Sequence, residues 1–150
     1  MTVNTWQGRL VAVKRTKITS ALSITRYDDE RELLALCSDC PNVLKVEAFI
    51  RQPPNYCLVL PHYSLGSVSH WLHDQLAQPT AHVALHIACG VARAVEHLHS
   101  LGVVHRDIKS DNALLASDVT AVLADFNVAA TLESMEVWVL RAGGDAAVAG

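Results

Sequence analysis

The chain has 150 residues, 51% hydrophobic and 18% charged, with 12 Lys and Arg against 15 Asp and Glu for a net charge of −3. That composition belongs to a globular domain with a real core, and the mildly acidic balance leaves no electrostatic footprint for nucleic acid or an anionic membrane surface. The opening MTVNTWQGRL lacks the basic start and apolar run of a signal peptide, and the longest uncharged stretch, 52–73, is interrupted by Pro53, Pro54, Pro61 and several polar residues, so no membrane span is expected and the chain reads as soluble and cytoplasmic.

In chain order, LVAVKR (10–15) is a β-branched run that reads as a strand after a turn at Gly8. From Tyr27 to Cys37, YDDERELLALC puts Leu33, Leu34 and Cys37 on one helical face, with acidic residues crowding what reads as its first turn. Pro41-Asn42 breaks the chain. VLKVEAFI (43–50) and NYCLVLPHY (55–63) are strand candidates separated by the turn-forming RQPP, and residues 67–76 after Gly66 read as a short helix. Thr80 suits the N-cap of a longer helix to about His99, with Val83, Ile87, Val91, Ala94 or Val95 and Leu98 at helical spacing and Gly102 as its stop. ALL (113–115) and VTAVLAD (119–125) read as two short strands around a turn at Ser117-Asp118, and the last twenty residues lose clear patterning. The expected fold is α+β, strands mostly early and helices mostly late.

Two features suggest metal at first sight. CSDC (37–40) carries a CxxC, but no second pair completes a zinc site, so Cys37 and Cys40 read as ordinary thiols. His82 and His86 stand at i, i+4 on the long helix with no acidic or sulfur partner. HRDIKSDN (105–112) is the densest polar cluster. A calcium loop starting at Asp107 would put Lys109 at its third position and Asn112 where a glycine is needed, which excludes that reading. A plain solvated turn leaves unexplained why Asp125 ends an apolar strand eighteen residues later, followed by Phe126, and why Lys14 ends the strand VAVK far upstream.

Taken together, VAVK, a glutamate on the 27–37 helix, HRDxxxxN and a DF pair in this order resemble the signature set of eukaryotic protein kinases. TWQGRLVAVKR, CPNVLKVEAF, NYCLVLPHYSLGSVSHWL and ARAVEHLHSLGVVHRDIKSDNALL extend the resemblance over residues 5–130. It implies a protein-kinase-like two-lobe fold, partial, with an N-lobe over about 1–60, a hinge at 61–66, the start of a C-lobe over 67–130 and a divergent tail over 131–150. It implies transfer of the ATP γ-phosphate to Ser or Thr hydroxyls of a protein substrate, with ATP and Mg²⁺ as the small-molecule partners. On the resemblance, Lys14 grips the α/β-phosphates and pairs with Glu30 or Glu32, of which Glu30 has the better helical phase. Ala12 and Leu114 sandwich the adenine, Leu60 is the gatekeeper, and the Pro61–Tyr63 segment, His62 and Tyr63 included, offers backbone hydrogen bonds. Asp107 accepts or orients the substrate proton, Lys109 steadies the γ-phosphate, and Asn112 and Asp125 hold magnesium. Lys109, two residues after Asp107, is the serine/threonine spelling, and the hinge and VAVK region are similar to tyrosine-kinase-like serine/threonine kinases.

The chain departs from the family pattern in three places. No glycine-rich loop is present, so the strand and loop over the phosphates would lie upstream of Met1. The glycine of the DFG triplet is Asn127, an exchange that asparagine's tolerance of unusual backbone angles makes acceptable. No APE follows, and the large C-lobe helices are missing, so the domain is expected to be truncated at both ends with apolar surface left for a partner to cover. These departures favour an alternative, a catalytically impaired kinase-like interaction module; the retained Lys14, Asp107, Asn112 and Asp125 favour the enzyme.

Overall fold

The computed structural model describes residues 1–135. Strands β1 (Thr2–Trp6) and β2 (Arg9–Arg15) form an antiparallel hairpin, Thr2 opposite Val13 through Trp6 opposite Arg9. Its two-residue turn, Gln7-Gly8, has φ of 50° and 76°, the left-handed pair that matches strand twist and that glycine makes cheap. Strands β3 (Ala48–Gln52) and β4 (Asn55–Pro61) form a second hairpin, and β4 pairs with β2, giving the antiparallel order β1-β2-β4-β3. The β2–β4 register sets Ala12 opposite Leu60 and Lys14 opposite Leu58.

Helix α1 spans Ala21–Leu36 and so begins six residues before the expected start at Tyr27. Its start is a reciprocal cap: Ser20 Oγ accepts from the Ser23 amide and Ser23 Oγ from the Ser20 amide. The acidic run at Asp28–Glu30 is therefore mid-helix, and the first turn carries no acid, contrary to the dipole expectation. Tyr27, Glu30, Leu33 and Leu34 are buried, and the Tyr27 hydroxyl bonds the Ile50 and Cys57 carbonyls at 2.9 and 3.0 Å, fixing the helix on the sheet. Cys37 and Cys40 are buried in the core, and among the described residues no group of three or more His, Cys, Asp or Glu could hold a metal ion.

The expected strand over 43–50 shortens to β3. Residues 42–44 pair elsewhere: the Leu123 amide donates to the Asn42 carbonyl (2.7 Å) and the Leu44 amide to the Leu123 carbonyl (2.9 Å). With Asn42 Nδ2 on the Ala121 carbonyl at 2.7 Å, this segment joins the sheet to the helical part.

Helix α2 (Val68–His73) is capped by Ser67 and stops short of the expected Leu76, which is in the left-handed region. Helix α3 (Ala81–Ser100) is capped by Thr80, and Gly102 follows its end at φ 68°. Ile87, Gly90, Ala94 and Leu98 are its buried face, with Val83, Val91 and Val95 at its margins. A β-carbon on Gly90 would stand 3.2 Å from Ala121 Cβ, so glycine lets α3 approach the strand beneath it. Strands β5 (Val103–Val104), β6 (Ala113–Leu115) and β7 (Ala121–Leu123) follow, β6 and β7 as a hairpin shorter than the expected 119–125 because 116–120 turn the chain. A further strand, β8 (Ala130–Thr131), pairs with β5. The expected irregular tail thus begins with an ordered pairing; its remainder, 136–150, lies outside the described residues. One core cluster runs from Ala12 and Leu58 through Tyr27 and Leu34 to Leu98, Leu123 and Phe126. No described helix is long and apolar enough to cross a membrane.

Candidate active site

A cleft of about 570 Å³ opens where the β-sheet meets the 105–127 region. Ala12 on β2, Leu60 on β4 and Leu114 on β6 line it with apolar surface, and Pro61, His62 and Tyr63 border it as the chain leaves β4. Lys14, Glu30, Asn112, Asp125 and Asn127 give it a polar end. A larger hollow, lined by residues such as Asp29, Leu36, Arg106 and Thr131, takes in Glu32, the less favoured partner for Lys14, and no other expected site residue.

Lys14 follows the strand alternation to the same cleft as Ala12, two residues back. Its Nζ donates to Glu30 Oε1 at 2.6 Å, to Asn127 Oδ1 at 3.2 Å and to Asp125 Oδ1 at 3.3 Å. Glu30 is 3% exposed, three residues after the Tyr27 anchor on the same helical face. Glu32 instead pairs with Arg31 at 3.0 Å on the surface. A buried carboxylate is tolerable only with a close partner, and Lys14 supplies it.

The 105–112 loop is held from below. His105 is buried; its Nε2 donates to the Ala124 carbonyl (3.0 Å), its Nδ1 accepts the Asp107 amide (3.3 Å), and its ring meets Phe126 edge to face at 5.0 Å. Burial lowers its pKa and favours the neutral ring, and the two hydrogen bonds set that tautomer. Arg106, at φ 67°, donates from Nε to the Val128 carbonyl. These two side chains hold the loop against the 124–128 segment around Asp125.

Asp107 Oδ2 accepts from Lys109 Nζ at 2.7 Å and from Asn112 Nδ2 at 2.9 Å, and Asn112 Nδ2 also reaches the Asp107 carbonyl at 2.9 Å. The Lys109 ammonium, then the Asn112 amide, holds the Asp107 carboxyl below the usual carboxylate range; the same contact raises Lys109. The Asn112 carbonyl accepts the Ala124 amide at 2.8 Å, tying the loop to the strand end that presents Asp125. Asp107 and Lys109 lie beside the cleft rather than in its lining, linked to it by Asn112. Asp125 sits at φ 64°, a conformation costly for a non-glycine residue that often marks a functional position.

The donor set suits an anionic ligand carrying a divalent cation. Lys14 is a fixed positive charge, and Asn112 spends its Nδ2 on Asp107 and so keeps an amide oxygen for a ligand. Asp125 is partly exposed at the cleft, and carboxylate and amide oxygens are the hard ligands that magnesium takes. Of the cleft-lining residues that sequence reasoning missed, two bear on the site. Val3, opposite Ala12 on β1, also lines the cleft, a position its strand alternation could have signalled. Asn127 enters through its side chain: its φ is not in the left-handed region, which Asp125 occupies instead, so its expected role as a backbone substitute for glycine is not the one it plays.

Comparisons with known proteins identify the family. A protein kinase domain model matches residues 1–142, extending beyond the 5–130 covered by the motif resemblance. The chain is 33% identical over 127 residues to the serine/threonine/tyrosine-protein kinase HT1 of Arabidopsis thaliana, an overlap of 81% of this chain and 33% of that protein. It is 35% identical over 135 residues to the serine/threonine-protein kinase TNNI3K of Mus musculus, covering 87% of this chain and 16% of that protein. The chain thus spans about a third or less of the length of these curated relatives. With the Lys14–Glu30 pair, the 105–112 loop and Asp125 on one cleft edge, the chain belongs to the protein kinase domain family and has a partial kinase fold.

Proposed function

We propose that the chain is the core of an ATP-dependent serine/threonine protein kinase that transfers the γ-phosphate of ATP to protein Ser and Thr hydroxyls. The observation that carries this reading is the convergence of Lys14, Glu30, Asn112 and Asp125 on one cleft with Asp107 bonded at its edge. The adenine fits the apolar slot of Ala12, Leu60 and Leu114, with backbone groups of Pro61–Tyr63 for its edge. Lys14, held by Glu30, meets the α/β-phosphates. Asn112 and Asp125 would hold Mg²⁺, which when bound neutralises phosphate charge.

Asp107 does the proton work. Lowered by Lys109 and Asn112, it is ionised at neutral pH and can accept a hydrogen bond from a substrate hydroxyl, orienting that oxygen for attack and taking its proton. Lys109, next to it, places a positive charge near the group in transfer. Preference for Ser and Thr is supported by Lys109 and by the relatives' names, one of which also includes tyrosine. A co-substrate of this kind fits work inside the cell, consistent with the cytoplasmic expectation.

Titrating the chain with Mg-ATP tests the reading. Wild type should bind in the micromolar to millimolar range, and Lys14→Met should weaken binding by about tenfold or more, the loss of a charge-assisted contact. Equal binding by the two, or none by wild type, would contradict it.

A further inference from the structure

Position 127 carries a side chain where the family triplet ends in glycine, and that side chain is bonded at both ends. Asn127 Oδ1 accepts from Lys14 Nζ at 3.2 Å, and Asn127 Nδ2 donates to Asp125 Oδ1 at 2.5 Å. Lys14 also donates to Asp125 Oδ1, at 3.3 Å, so the three side chains close a ring, anchored to α1 by the 2.6 Å bond from Lys14 to Glu30. A glycine supplies none of the amide's bonds. The strained backbone angle lies at Asp125, not Asn127, and a residue in that region keeps its place only where its surroundings hold it there.

We propose that Asn127 is a positioning residue: its carboxamide clips the Asp125 carboxylate to Lys14 before any ligand enters and so fixes how that carboxylate is presented to a divalent cation. Both protein donors converge on Oδ1. Among the described residues Oδ2 has no hydrogen-bond donor, so the clip leaves one oxygen for the cation. The proposal rests on reading the cleft as a Mg-ATP site. Its consequence is preorganisation: a carboxylate already oriented loses less freedom when the cation arrives. Because the amide acts on Asp125, its effect belongs to magnesium-dependent binding rather than to the adenine slot.

Asn127 is exposed and not in the left-handed region, so its replacement leaves the core intact. Two variants separate side chain from backbone: Asn127→Ala removes the amide and keeps an ordinary backbone, while Asn127→Gly restores the family spelling and adds backbone freedom. Calorimetric titration of the full chain with Mg-ATP, and with ATP in chelator, is compared across the three proteins. Side-chain amide signals of ligand-free Asn127 are followed by NMR in wild type and in Asp125→Ala. The expected result is about fivefold weaker Mg-ATP binding in both position-127 variants, the size expected for one partly exposed charge-assisted hydrogen bond. Magnesium-free ATP binding is unchanged, and the Asn127 amide signals, shifted and slow to exchange in wild type, collapse in Asp125→Ala. Equal Mg-ATP affinity in wild type and Asn127→Ala overturns the proposal. So does a loss confined to Asn127→Gly, which assigns the effect to the backbone, and so do amide signals indifferent to Asp125. A wild-type chain that binds no Mg-ATP at all overturns the nucleotide-site reading itself, and the positioning role with it.

Discussion

Lys14 meets three oxygens with one ammonium, and the shortest contact, to Glu30, lets a carboxylate that is 3% exposed stay in the core edge. The choice of Glu30 over Glu32 was open in the sequence to one argument, helical phase, because Glu30 shares its face with Tyr27 and Leu34 while Glu32 points to Arg31. Asn127 was not legible in that way. Its bonds to a lysine 113 residues away depend on where two elements meet, and no spacing rule encodes that. His105 gives a prediction at this scale. Burial lowers its pKa in the fold from the ordinary 6.5, so below that value the unfolded chain takes up a proton that the buried ring refuses. The contribution is present above about pH 6.5 and is lost as pH falls toward the folded-state value. Chemical denaturation between pH 7.5 and 5 should show wild-type stability declining, with a shallower decline in His105→Gln; equal slopes would mean that the ring is not held neutral.

At the scale of elements, the long helix α3 was readable almost to the residue, since Thr80, the apolar spacing and Gly102 all point the same way. Helix α1 was readable in its second half only. Its true start uses Ser20 and Ser23, a weaker pattern than the Asp28–Glu30 run that looked like a first turn. Ser20→Ala should therefore cost about 1 kcal/mol of stability by denaturant titration, the usual loss for an N-cap side chain. No loss would mean that the helix does not depend on this cap, and that its first turns frays without consequence for Glu30. The segment 43–47 misled for a different reason. VLKV has strand composition, but its leading residues hydrogen-bond with Leu123, a partner eighty residues on that pattern reading cannot see.

Across the whole molecule, the sheet and the helical part share one core cluster and meet at Asn42. The fold class was legible because strand and helix periodicities are local properties; the β5–β8 pairing was not, because two-residue strands leave no periodicity to read. Asn42 Nδ2 is a buried donor to the Ala121 carbonyl, beside Gly90. Its removal leaves that carbonyl without its partner, so Asn42→Ala should destabilise the chain by about 2 kcal/mol while keeping a single unfolding transition. Two separated transitions would show that the sheet and the helical part unfold independently.

Phosphoryl transfer itself is the most direct test. Wild type and Asp107→Asn are each incubated with Mg²⁺, γ-labelled ATP and a basic peptide containing Ser, Thr and Tyr, and labelled amino acids are identified after hydrolysis. Asp107 is half-buried beside the cleft, and asparagine keeps its shape while losing the proton acceptor. The expected result is label on Ser and Thr with wild type and a loss of about a hundredfold or more with Asp107→Asn, the scale of a general base. Equal labelling by the two proteins, or none by wild type, would contradict the assignment of this cleft to phosphoryl transfer.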